Sequence, residues 1–183
     1  MLTNNSSFLW PSDFSCTIIS EKLIIPNFYQ IRLSIEPNNA RATDINLGFK
    51  KLKYFIHNCL SNSILINEKN TALKLFSEFD SNFIPLPTEP YDFFIANILF
   101  SKFKIITEKY FELKYLTLES EVGENVQYHV NVHSKMELEK GAKYWWNIDS
   151  ITTGNNETPT WEELNLHDSP KFSPKVVQGG LSE

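Results

Sequence analysis

Between residues 29 and 66 the hydrophobic period of the chain changes twice, and few architectures accommodate that. In Tyr29–Glu36, Ile31, Leu33 and Ile35 alternate with Arg32, Ser34 and Glu36, which is the two-residue period of a half-buried strand. Pro37-Asn38-Asn39 interrupts it. Ile45, Phe49, Leu52, Ile56, Cys59 and Leu60 then recur at steps of three and four, the period of an amphipathic helix. Thr43 or Asp44 is placed to cap that helix by accepting from its first free amides. Ser61–Ser63 ends it, and Ile64-Leu65-Ile66 has the length and β-branched character of a short buried strand. Strand, helix and strand in this order predict a right-handed βαβ unit.

Residues 1–15 read as a polar arm that docks through Phe8, Leu9 and Trp10, and Cys16–Ile19 with Leu23–Ile25 reads as a hairpin ended by Pro26-Asn27. Asn70 or Thr71 opens a short second helix carrying Leu75, Phe76 and Phe79. Ile84-Pro85-Leu86-Pro87 is extended, because each proline disfavours the helical conformation of the residue before it. Thr88 is placed to cap a third helix, with Pro90 in its first turn, Glu89 and Asp92 near its positive end, and Phe94, Ile95, Ile98, Leu99, Phe103 and Ile106 on its buried stripe. Phe111–Ser120, Val126–His133 and Lys143–Ile148 then predict three antiparallel strands in a meander.

The expected fold is therefore α+β: a mixed sheet with an N-terminal βαβ unit, three helices packed on the sheet and a C-terminal antiparallel meander. Hydrophobic residues make up 42% of the 183, enough for one core over residues 1–153 without a disulfide or metal staple. From 154 onward the chain is polar and punctuated by Gly154, Pro159, Pro170, Pro174 and Gly179-Gly180. Thr160-x-x-Glu163 is a capping-box pattern for one short helix there. Residues 154–183 are expected as a tail, either pinned to the surface by Trp161, Leu166 and Phe172 or ordered on a partner.

The net charge is −5, and Arg32 and Arg41 are the two arginines beside fifteen lysines. Nucleic-acid affinity comes mainly from neutralising phosphates, so this balance argues against a dedicated DNA or RNA binder. The Lys-over-Arg bias, with many Asn, Ile and Phe, is what an AT-rich coding sequence produces, and it points to an AT-rich bacterium or a phage. No apolar run reaches the ~20 residues of a membrane helix. The first ten residues have neither a basic nor an apolar segment of a signal peptide. The cytoplasm is the expected compartment, and with it a reduced state for Cys16 and Cys59, which fit no metal-ligand spacing.

Four constellations could carry chemistry. Gln127, His129, Asn131 and His133 share one face of a strand, with Glu137 four residues on. Two imidazoles four residues apart on a strand stand roughly 13 Å apart, too far to share a metal unless the strand bends, so a solvated strand face is the expected role. Asp92 followed by Glu112-Leu-Lys114 resembles the PD-(D/E)xK nuclease signature, in which two carboxylates hold Mg²⁺ beside a lysine. Pro90-Tyr-Asp92 carries one inserted residue, and its Asp falls on a helix where that family has a strand. Lys50, Lys51 and Lys53, beside Tyr54 and Phe55, form a basic helix patch that could meet nucleic acid. Tyr144-Trp145-Trp146, placed on a strand, would expose at least one ring, and with Trp161 and Phe172 these are the expected binding residues.

Glycine-rich phosphate loops, G-x-S-x-G, H-E-x-x-H and zinc-spaced cysteine pairs do not occur, and no cofactor is expected. The sequence thus points first to a non-enzymatic protein–protein interaction protein, an assembly subunit, inhibitor or accessory factor of phage or mobile-element type. A metal-dependent hydrolase or nuclease, and a nucleic-acid binder using the lysine patch, are the alternatives.

Overall fold

A computed structural model describes residues 7–21, 23–37, 41–76, 82–124, 126–134, 144–151, 153, 160–164 and 166. The strands are β1 (Phe8–Ser20), β2 (Leu23–Pro37), β3 (Ser63–Asn67), β4 (Phe83–Leu86), β5 (Phe111–Ser120) and β6 (Gln127–Asn131). The helices are α1 (Ala42–Tyr54), prolonged by a π-helical turn over Phe55–Leu60, α2 (Ala72–Phe76) and α3 (Asp92–Thr107). All six strands form one sheet in the order β4-β3-β1-β2-β5-β6. β1/β3 and β3/β4 pair in parallel, and the other neighbours pair antiparallel. The fold is α+β with a mixed sheet, as the periodicity predicts.

The strand–helix–strand segment of residues 29–66 forms, but its two strands do not pair with each other. β1 lies between β2 and β3 and is the parallel neighbour of β3. The parallel crossover between neighbouring strands is instead β3–α2–β4, where Asn70 Oδ1 accepts from the Ala72 amide at 2.9 Å and opens the short helix.

The N-terminal hairpin is far longer than expected, pairing Phe8–Ser20 with Leu23–Ile35 throughout. Pro26 does not end it, and residues 8–15, expected as part of an arm, belong to β1. Both prolines inside it, Pro11 and Pro26, lie where their strand has one neighbour. β3 pairs only with Cys16–Ile19 of β1, and β5 pairs only with Tyr29–Pro37 of β2. The Ser15 carbonyl accepts from Asn62 on the β3 side, and the Phe28 carbonyl accepts from Glu121 on the β5 side. Backbone groups alternate along a strand, so the missing N–H of Pro11 and of Pro26 each falls on a free edge and costs no ladder bond.

The same alternation sends Phe14, Cys16, Ile18, Ile31, Leu33, Ile35, Leu116 and Leu118 to the face on which α1 and α3 pack, and all are buried. Phe49 of α1 meets the rings of Phe8, Trp10 and Phe111 at 5.8, 5.6 and 4.9 Å. Gly48 allows this approach: a Cβ there would stand 2.7 Å from Phe111 Cε1. The two long helices begin at Arg41 and Tyr91 without a side-chain cap, so Thr43, Asp44 and Thr88 do not have the capping role their positions suggested.

In the described part of the expected third strand of the meander, residues 144–148, the chain is not a strand. Trp145–Asn147 is a 3₁₀ turn, and a lysine explains why. Lys102 of α3 is fully buried, and its Nζ donates to the carbonyls of Trp145 at 3.0 Å and Ile148 at 2.8 Å. Holding both carbonyls on one cation bends the segment and turns both tryptophans inward. The ammonium also lies 5.2 Å from the Phe55 ring centre and 5.8 Å from that of Trp145, a cation–π environment that offsets part of its desolvation.

Candidate functional site

The tryptophans expected to form a binding surface are interior. Trp145 is 8% exposed, Trp146 1% and Trp161 9%. Tyr144 stacks on Trp146 at 4.5 Å with its ring plane 4° away. Trp161 donates from Nε1 to Asp149 Oδ1 at 3.0 Å and covers Lys51 Nζ at 4.8 Å. Leu166 packs against the core, and Phe172 lies outside the described residues. The strand assigned to residues 143–148 would have pointed adjacent rings to opposite faces; the 3₁₀ turn does not.

The three lysines of the expected basic patch go to two environments. Lys51 is buried beneath Trp161 and Tyr110. Lys50 donates to the Leu166 carbonyl at 3.0 Å and, with Thr43, Asn46 and Lys53, lines a cleft of about 490 Å³. Of the three, Lys53 alone is exposed. Lys50 and Lys53 therefore share one cleft, from which Lys51 is withdrawn.

Asp92 and Glu112-Leu-Lys114 are not brought together. Asp92 meets Ser120 at one end of β5. Glu112 stands eight residues away along that strand, roughly 27 Å at the strand rise. Lys114 Nζ bridges Glu36 at 2.6 Å and Glu112 at 2.8 Å, beside the register shift at Ser34/Ile35, and these carboxylates hold its ammonium above the ordinary lysine pKa. His133 lies in the turn after β6, its amide donating to Asn131 Oδ1 at 2.8 Å, and Glu137 is outside the described residues. Among the described residues no three His, Cys, Asp or Glu side chains gather where they could hold a metal ion.

Asp92 instead anchors the start of α3. Its Oδ1 accepts from Tyr29 Oη and its Oδ2 from Ser120 Oγ, each at 2.7 Å. Ser120 Oγ accepts in turn from the Gly123 amide at 2.8 Å, and a Cβ on Gly123 would stand 2.7 Å from Asp92 Oδ2. Burial first, and then the Asp92 charge, push the Tyr29 phenol well above its ordinary pKa. Asn27 Oδ1 accepts from the Phe28 and Val122 amides at 2.9 and 3.2 Å, while its buried Nδ2 has no hydrogen-bond partner among the described residues. Three residues earlier, Glu89 accepts from Ser20 Oγ at 2.9 Å and Asn67 Nδ2 at 3.0 Å. Two carboxylates thereby tie the entry of α3 to the ends of β1, β3 and β5.

This anchoring decides where the flanking aromatics go. With Asp92 turned inward, Tyr91 and Phe93 project outward, 56% and 54% exposed. Their rings stack at 6.4 Å with planes 12° apart. Other exposed apolar side chains border the tied elements: Leu23 at 63% and Ile24 at 64%, paired with Ser20 and Ile19 in the hairpin, and Val122 at 49% in the turn against Asp92. A stabilising role for Asp92 at the positive end of α3 gives no sign of this surface. The available signal was Tyr-Asp-Phe-Phe at 91–94: one buried stripe takes Phe94, which leaves two aromatics off it.

A second surface is the face of β1, β2, β5 and β6 opposite α1 and α3. The strand registers order it into cross-strand rows: Leu9, Ser34, Tyr115 and Asn131; then Pro11, Arg32, Thr117 and His129; then Asp13, Gln30, Glu119 and Gln127. The expected shared face of Gln127, His129 and Asn131 is this one. The chain matches no protein-family profile and no curated protein sequence.

Proposed function

We propose that this protein is a non-enzymatic protein–protein interaction domain, an assembly subunit, inhibitor or accessory factor, whose partner docks on the end marked by Tyr91 and Phe93. The observation that carries the reading is the stacked, half-exposed pair held outward by the inward turn of Asp92. Exposed Tyr and other aromatics set on a rigid support are typical interface anchors, because they bring large contact area at small entropic cost. Covering a further ~100 Å² on each ring would contribute roughly 5 kcal/mol before the cost of association, at about 25 cal/mol per Å².

The test is comparative co-purification from native cells with the whole chain and with Tyr91→Ser/Phe93→Ser. Both positions are exposed and serine is a favourable cap at the start of α3, so the variant should remain folded with an unfolding midpoint no lower than the parent's. A defined protein should accompany the parent in constant proportion and be lost from the variant. The same companion, undiminished on the variant, would overturn the reading.

A further inference from the structure

We propose that the open sheet face holds a binding site for a small organic oxyanion, one with a planar apolar body and a carboxylate or phosphate head received by Arg32. A cleft of about 450 Å³ opens on this face, lined by Leu9, Arg32, Tyr115, Thr117, His129 and Asn131 among others. That volume is in the range of small-molecule sites.

The polar groups in it are arranged unevenly. Among the described residues, the Arg32 guanidinium has neither a hydrogen bond nor an ion pair, whereas the cation at the end of the same face, Lys114, is neutralised by Glu36 and Glu112. Of the nearer acids, Glu119 is already engaged by Gln127 Nε2 at 2.8 Å, and Asp13 stands one row away from Arg32. Thr117, 6% exposed, meets His129 Nδ1 at 2.9 Å. This contact fixes the imidazole in the row of Arg32, and among the described residues its other nitrogen has no partner.

A free guanidinium is a planar fork suited to a carboxylate or phosphate. The apolar walls are Leu9 and the ring of Tyr115, 60% and 38% exposed. They lie in the row beside Arg32, where a flat body attached to the anion would rest. The site is remote in function from the Tyr91–Phe93 surface and does not depend on it.

The experiment is a titration of the whole chain with benzoate, phenyl phosphate and benzamide, followed by NMR shifts of the Arg32 Nε–H, the Tyr115 ring and the His129 ring. At least one of the two anions should give saturable shifts of all three groups, with a dissociation constant of about 1–10 mM, the range for fragments of this size. Benzamide, the neutral isostere, should bind at least tenfold more weakly. Arg32→Gln should weaken the anion at least tenfold, Arg32→Lys should fall between, and Tyr91→Ser/Phe93→Ser should bind as the parent does. Which anion binds more tightly identifies the head group. Absence of saturable shifts with both anions, equal binding of benzamide, or undiminished binding by Arg32→Gln would each overturn the proposal. Amide spectra away from the cleft establish that the Arg32 variants are folded.

Discussion

Two charged side chains do most of the positioning in this molecule, and both are turned inward. Lys102 replaces an apolar residue on the α3 stripe and fixes the 145–148 turn through two carbonyls. Burial lowers its pKa from 10.5 to about 8, against the opposing pull of Asp149 and Cys59. Between those two values the unfolded chain keeps a proton that the folded chain has lost. Folded stability contributed at this position therefore rises with pH across the window. Comparing the parent with Lys102→Met cancels the other titrating groups: the stability difference should shift in favour of the parent from pH 8 to 10.5 in urea titrations. A flat difference would contradict a buried ammonium. At pH 7, Lys102→Ala should cost about 2–5 kcal/mol, since it opens a cavity and strands two carbonyls. Asp92→Ala should cost about 2–4 kcal/mol by orphaning the buried hydroxyls of Tyr29 and Ser120, whereas Tyr91→Ser, which supplies a favourable cap at the start of α3, should not lower the urea midpoint.

At the scale of elements, periodicity read the middle of the chain well. α1, α3, β2, β5 and β6 lie where alternation or three- and four-residue steps put them, because each has one buried face and one open face. Three readings failed for physical reasons. Pro26 looked like a terminator, yet its missing N–H faces a free edge. Tyr144-Trp145-Trp146 looked like a strand, yet the ammonium of Lys102 decides its shape; the signal was Lys102 standing on the stripe between Ile98 and Ile106. The parallel partner of β3 is set by the long hairpin, and no local pattern encodes which of its strands β3 joins. The hairpin also yields a test. Pro11 leaves the free edge of β1 one donor short, which discourages pairing with a second chain. Pro11→Val should restore that donor and raise concentration-dependent association, measured by sedimentation, with little change in monomer stability. A variant that remains as monomeric as the parent would show that the edge needs no such guard.

Across the whole molecule, the sheet is covered by α1 and α3 on one face, has a polar cleft on the other, and carries its exposed aromatic pair at the entry of α3. The candidate site was less legible than the fold. The sequence identified the shared face of His129 and Asn131, but Arg32 and Tyr115 join it only through the registers of β2 with β5 and β5 with β6. It singled out Asp92 for its charge, whereas the consequence lies in its neighbours. No helix of the described residues is long and apolar enough to cross a membrane. The docking reading is tested most directly by placing a benzophenone amino acid at position 91 or 93, and in parallel at 53 or 115, then irradiating native cells. The account expects one discrete cross-linked protein from 91 and 93 and none from 53. The same adduct from all four positions, or adducts from 53 alone, would contradict it.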